Sequence, residues 1–202
     1  QRYFDACGIE YKRNRNKTFQ EAVAESNAWG PDIHYPCHTN AYNGETRYSV
    51  LLVYNAVEGN PAFDCAQDIA GLRPQVYPNP IYVNQNRSLY EIRYSTSPCV
   101  YDEIVFHDNV DDATLFHVRM QTFAELTARG FCNYFGIPFV YPEGIGLEPD
   151  VSDTPRSAAA SDEASEPAVP VSSQIVLPSA DNGFEQRYNA LHGELERIIR
   201  EF

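Results

Sequence analysis

The sequence predicts an α+β domain, one N-terminal helix packed on a strongly twisted antiparallel sheet. Three stretches carry that expectation. Lys17-Thr-Phe-Gln-Glu-Ala-Val-Ala-Glu-Ser-Asn27 has helical periodicity. Tyr48-Ser-Val-Leu-Leu-Val-Tyr54 is a β-prone apolar run. Tyr101 to Met120 places alternating residues on either side of an Asp/Asn-rich centre, the pattern of a β-hairpin.

Residues 1–11 read as a short extended segment. In the helix that follows, Thr18 and Glu21 form a capping box, Phe19, Ala22 and Val23 make the apolar stripe, and Gly30-Pro31 ends it. Tyr35 to Glu45 is a loop of turn formers and polar groups able to contact a ligand. Arg47 to Asn55 is a strand. Residues 56–76 read as an inserted loop with one helical turn at Ala66 to Leu72. Gln75 to Val83 is an edge or bulged strand because of its prolines, and Ser88 to Tyr94 is another strand.

In the hairpin the turn falls at Asp108 to Asp112. Glu103 then faces His117, Tyr101 faces Arg119, and Ile104 faces Phe116. Asp108, Asp111 and Asp112 lack the spacing of an EF-hand loop and read as a solvated turn. Met120 to Arg129 is a short helix, and Phe131 to Phe135 closes the domain.

Composition divides the chain into a domain over 1–146, a Ser/Ala/Pro/Glu-rich linker over 147–182 that reads as disordered, and an amphipathic helix over 183–202. In the last, Phe184, Tyr188, Leu191, Leu195, Ile198 and Phe202 form an a/d stripe suited to docking back or to helix-mediated contact with a partner.

The 202 residues carry a formal charge of −13, with −6 in 1–146 and −7 beyond. Neither part has the Lys/Arg cluster of a general nucleic-acid binder. No apolar run is long enough to span a bilayer, and no cofactor motif or metal-ligand spacing stands out. Five cysteines (7, 37, 65, 99 and 132) read as disulfide formers, which with Gln1 as a mature N-terminus implies secretion. Sequons at Asn16 and Asn86 agree with that.

Cys7-Gly8 with Tyr11, the Phe19–Val23 helix, Tyr35-Pro36 and Asp102-Glu-Ile-Val-Phe106 recur in the order seen in fungal guanyl-specific ribonucleases. The resemblance covers about residues 3–135. The chain is more similar still to the ribonuclease-like secreted effectors of plant-pathogenic fungi, which keep the fold and lose catalytic residues.

The resemblance implies a Cys7–Cys132 bridge, with Cys37, Cys65 and Cys99 left to form one further pair. It also implies transphosphorylation by a base, an acid and cationic groups. Tyr35 matches the family's phosphate-contacting tyrosine. Cys37 stands at its histidine, with His38 one place later. Pro78 stands at its glutamate base, Glu103 at its arginine, and His117 at its acid; Arg119 is a substitute cation. The implied function is a secreted, catalytically impaired protein that binds a host protein (an immune receptor, for example) or RNA, with delivery into host cells. The alternative is an active, guanosine-preferring endoribonuclease with a rearranged site.

Overall fold

Asn60-Pro61 opens a helix rather than a loop, and this decides the topology. In the computed structural model, which describes residues 1–14 and 18–144, the Asn60 side chain accepts hydrogen bonds from the amides of Ala62 and Phe63. Pro61 occupies a first-turn position where no amide donor is needed. Helix α3 then runs Pro61–Leu72 and passes into a 3-10 turn, Arg73–Gln75.

The strands on either side, β2 (Ser49–Val53) and β3 (Ile81–Gln85), are therefore joined by a helical crossover and pair in parallel. Strand β1 (Cys37–Asn40) runs parallel to β4 (Tyr101–Phe106), and β4 runs antiparallel to β2. The sheet order is β1-β4-β2-β3. The fold is a mixed α/β sheet, not the twisted antiparallel sheet of the α+β expectation.

The expected hairpin is the largest departure. Only its first arm is a strand. Asn109 is a helix N-cap, its Oδ1 accepting from the amides of Asp111 and Asp112, and both carboxylates sit in the first turn, where the helix dipole favours them. Helix α5 runs Val110–Phe135, with a kink at Arg119 (φ −117°, ψ 15°). It absorbs the second hairpin arm, the expected helix at Met120–Arg129 and the closing segment.

Asp112 is not solvated. It is fully buried, accepting from Arg47 Nε (2.7 Å), the Tyr77 hydroxyl (2.7 Å) and the Phe106 amide. Asp108 accepts from the amides of Tyr42 and Gly44 and so holds the loop before β2.

Two other elements change type. Residues Arg2–Cys7 form helix α1, ended by Gly8 in the left-handed region (φ 71°). Tyr90–Tyr94 is a helical turn, α4, not a strand. Helix α2 (Phe19–Trp29) stands as expected: Thr18 accepts from the Glu21 amide, donates to Glu21 Oε2, and Gly30 (φ 68°) closes it.

The helices cover both faces of the sheet. Leu51 and Val53 of β2 point to one face and pack with Ala62, Cys65, Ala66 and Ile69 of α3 and Phe131 of α5. Leu52, between them in sequence, points to the other and packs with Tyr101 and with Ile92 of α4. Helices α3 and α5 cross at Gly130, where an added Cβ would lie 2.7 Å from Ile69 Cα. Alanine is the better helix former by about 1 kcal/mol, but backbone cannot yield at this distance. Gly130→Ala is expected to destabilise by a net of about 1–2 kcal/mol in urea denaturation, since overpacking outweighs propensity.

No disulfide ties the fold: all five cysteines are free. Cys7 and Cys132 do meet, as unbonded thiols in hydrogen-bonding contact, and burial with that contact pushes Cys132 up to about 11. Cys7 is also held by the backbone of Val140. Cys65 and Cys99 are buried in separate apolar clusters, and Cys37 is exposed. The linker over 147–182, the helix over 183–202 and Asn16 lie outside the described residues.

Candidate active site

Alternation along two neighbouring strands sorts the polar residues onto opposite faces. His34 bridges to Cys99 just ahead of the β1–β4 ladder, Cys37 pairs with Asp102, and His38 pairs with Glu103. With a period of two, His34, His38, Tyr101 and Glu103 share one face, while Tyr35 and Asp102 share the other.

On the second face the groups close on themselves. Arg73, from the 3-10 turn after α3, donates through Nη1 and Nη2 to the two oxygens of Asp102 (2.8 and 2.6 Å). Its Nη1 also donates to Ser49 Oγ (2.9 Å), and the Tyr35 hydroxyl donates to Asp102 Oδ2 (2.5 Å). Burial works against the Arg73 charge, but the Asp102 carboxylate holds its pKa above the ordinary range. Burial and then Asp102 push the Tyr35 phenol well up. Every oxygen of Asp102 has a donor, so this network stabilises the sheet–helix contact and offers no reactive group.

The first face is different. Helix α4 brings Glu91 over the two histidines. Its Oε2 lies 3.3 Å from His38 Nε2, and its Oε1 lies 3.9 Å from His34 Nε2. The Tyr101 ring stacks on His38 at 4.5 Å, nearly parallel, and Phe19 of α2 meets the same imidazole edge-on.

Glu103 lies beneath, 6% exposed, and its Oε2 is buried without a hydrogen-bond partner among the described residues. Burial raises the Glu103 pKa to about 7; His38 opposes the rise, while Asp102 and Glu91 add to it. Burial also lowers the His34 pKa, against the pull of Glu91. A carboxyl group poised near neutral pH beside an imidazole held by a second carboxylate is able to pass protons in either direction.

Of the residues expected at a site, His38 and Glu103 are together. Tyr35 is on the opposite face. His117 is exposed on α5, and Arg119 is at the α5 kink; neither is among the charged groups that act on Glu103. Pro78 lies in the exposed segment before β3. Sequence reading missed His34 and Glu91. His34 and His38 stand four apart in an extended segment, a spacing that puts both on one face. Glu91 was hidden by reading Ser88 to Tyr94 as a strand.

No family model matches the chain, and no curated protein matches it. Solved structures do. The catalytic domain of an endolysin, CD27L, targeting Clostridia difficile is similar with a TM-score of 0.52 at 24% identity, over 61% of this chain and 68% of that one. An N-acetylmuramoyl-L-alanine amidase from Clostridium difficile 630 gives 0.54 at 13% identity, over 67% and 78%. The chain has the fold of these amidases. Another, Ami1 from Mycobacterium smegmatis, gives 0.52 at 17% identity, over 62% and 65%.

The amidase fold replaces the fungal ribonuclease resemblance. With it go both functions drawn from that resemblance, the impaired effector and the active endoribonuclease. The shared motifs are short: the Phe19–Val23 helix and the Asp102–Phe106 strand stand, but Cys7 ends a helix and the second arm of the hairpin is part of α5. No bridge joins Cys7 of α1 to Cys132 of α5, which removes the cysteine argument for an oxidising compartment. Among the described residues no group of three or more His, Cys, Asp or Glu side chains is disposed to hold a metal ion. A metal-activated water needs three such protein ligands, and the described residues do not supply them together.

Proposed function

We propose that the chain is an acid–base hydrolase of an amide bond, working at His38 and Glu103. Fold alone carries no activity. The observation that supports the reading is Glu103, buried, protonatable near pH 7 and paired across the ladder with His38. Water attacks the amide carbonyl and gives its proton to the His38 imidazole, which Glu91 orients. The carbon–nitrogen bond breaks, and the proton held by Glu103 passes to the departing amine. Proton transfer back from His38 to Glu103 restores the site.

The amidases that share the fold suggest the first substrate to try, an N-acetylmuramoyl-L-alanyl peptide. Purified protein is expected to release free amino groups from it, read by an amine-reactive fluorophore. Loss of one proton-transfer group lowers rates by roughly 10²–10⁴, so Glu103→Gln and His38→Ala should each fall into that range. No release, or release untouched by both changes, contradicts the reading. Export from the cell fits such a substrate. Its support is the Asn86 sequon, in a turn where Arg87 and Ser88 are exposed.

A further inference from the structure

Among the described residues no lysine or arginine pairs with Glu91 or Glu103. The charged groups acting on Glu103 are His38, Asp102 and Glu91. Asp102 belongs to Arg73 on the other face, and the ion-pair partners of Glu91 are the two histidines. Glu103 Oε2 is buried with no donor among the described residues. The arrangement on the second face shows how this chain treats a buried carboxylate when the partner is internal: Asp102 receives a bidentate guanidinium and a phenol.

A buried carboxylate oxygen with a second carboxylate nearby is complementary to a donor that carries positive charge. Tyr101, stacked on His38, and Tyr48, whose phenol is raised by burial and by Glu103, frame the same spot with aromatic surface. Such surface favours a cation over an anion. A phosphate or carboxylate ligand would meet two like charges and, among the described residues, no Lys or Arg paired with them.

We propose that this site binds a protonated primary amine, with Glu103 Oε2 as its main acceptor and Glu91 as the second carboxylate. The proposal rests on the site assigned above and names its substrate class: an amino-bearing amide, or the amine freed from it. The His34 and His38 side chains beside it keep 11% and 13% of their surface in solvent.

A bound ammonium favours the ionised form of Glu103, so below neutral pH binding must expel a proton. The other titratable groups around it are His34, Cys37 and His38 from the β1 side, Glu91 from α4, Cys99, Tyr101 and Asp102 from the β4 side, and Tyr48 ahead of β2. Protonation of His34, whose pKa is lowered by burial, adds positive charge and works in the same direction. Affinity is therefore expected to fall about tenfold per pH unit below 7 and to level off above it.

Calorimetric titration of the full chain with n-butylammonium chloride tests this, with 1-pentanol and butyrate as the uncharged and anionic analogues. The expected result is saturable binding of the ammonium alone, proton release at pH 6 seen as a dependence on buffer ionisation heat, and at least a tenfold loss of affinity in Glu103→Gln. If the alcohol binds equally, if affinity is flat from pH 5.5 to 7.5, or if nothing binds because solvent alone serves Glu103, the proposal is wrong. Should Glu103→Gln lose its circular dichroism, the pH dependence of the unaltered chain decides. Binding is read without turnover, so failure here is distinguishable from failure of the hydrolysis reading.

Discussion

Asp102→Ala is expected to cost about 3–5 kcal/mol of folding stability, the range for removing one partner of a buried ion pair. Arg73 is 2% exposed and Asp102 0%. Without the carboxylate, a guanidinium is left in the interior with only Ser49 Oγ as an acceptor among the described residues, and the Tyr35 hydroxyl loses the Asp102 acceptor. A loss of that size is a large share of the stability of a domain this long. The penalty is an uncompensated charge, not a missing attraction. Replacing both partners with apolar residues, as in Arg73→Met with Asp102→Leu, should recover much of it. Guanidinium denaturation of the single and double variants checks this. A single variant within about 1 kcal/mol of the parent would mean that water reaches Arg73.

Glu103→Gln is expected to change the pH dependence of stability, with a sign fixed by the site. The folded chain holds the Glu103 proton to about pH 7, whereas an unfolded glutamate releases it near its ordinary value, about 4.3. Between those values the native state binds more protons than the unfolded state. Stability contributed by Glu103 is therefore present at low pH and lost as pH rises to about 7, by on the order of 3 kcal/mol in full.

The Gln variant has no such loss. It should match the parent near pH 5 and exceed it by on the order of 2–3 kcal/mol at pH 8. His34 acts in the opposite direction, since a lowered imidazole pKa costs stability as pH falls. That effect is present in both proteins and cancels in the comparison. Denaturation curves at pH 5 and 8 give the difference directly, and equal differences at both would contradict a raised Glu103. A group that weakens the fold at the pH where it is half ionised is placed for chemistry rather than for stability.

Helix α2 was legible because its cap, apolar stripe and terminating glycine all lie within its own residues. Strand β2 was legible because Ser49–Val53 has no competing pattern. Helix α5 was misread because Asp108-Asn109-Val110-Asp111-Asp112 suits a hairpin turn and a capped helix start equally well in local terms. The residues that separate the two are farther on, at helical spacing: Phe116 and Phe123 pack with β4, Leu126 is buried, and Gly130 meets α3. Once α5 is a helix, His117 and Arg119 leave the sheet.

His38 and Glu103 were both singled out, but in different roles and with other partners. Their meeting depends on β1 and β4 running parallel, a long-range pairing that no local spacing reports. The short motifs behind the ribonuclease resemblance were too few to specify strand direction, and strand direction is where the two folds differ.

The central claim is that Glu103 is a proton-transfer group held ready at neutral pH. Carbon-13 NMR of the Glu103 side-chain carboxyl, assigned by its absence in Glu103→Gln and followed from pH 4 to 9, tests it most directly. The site described here requires a midpoint near 7, coupled to shifts in the His38 ring. A midpoint in the ordinary glutamate range, about 4–5, would show that water reaches the carboxylate and would contradict the claim.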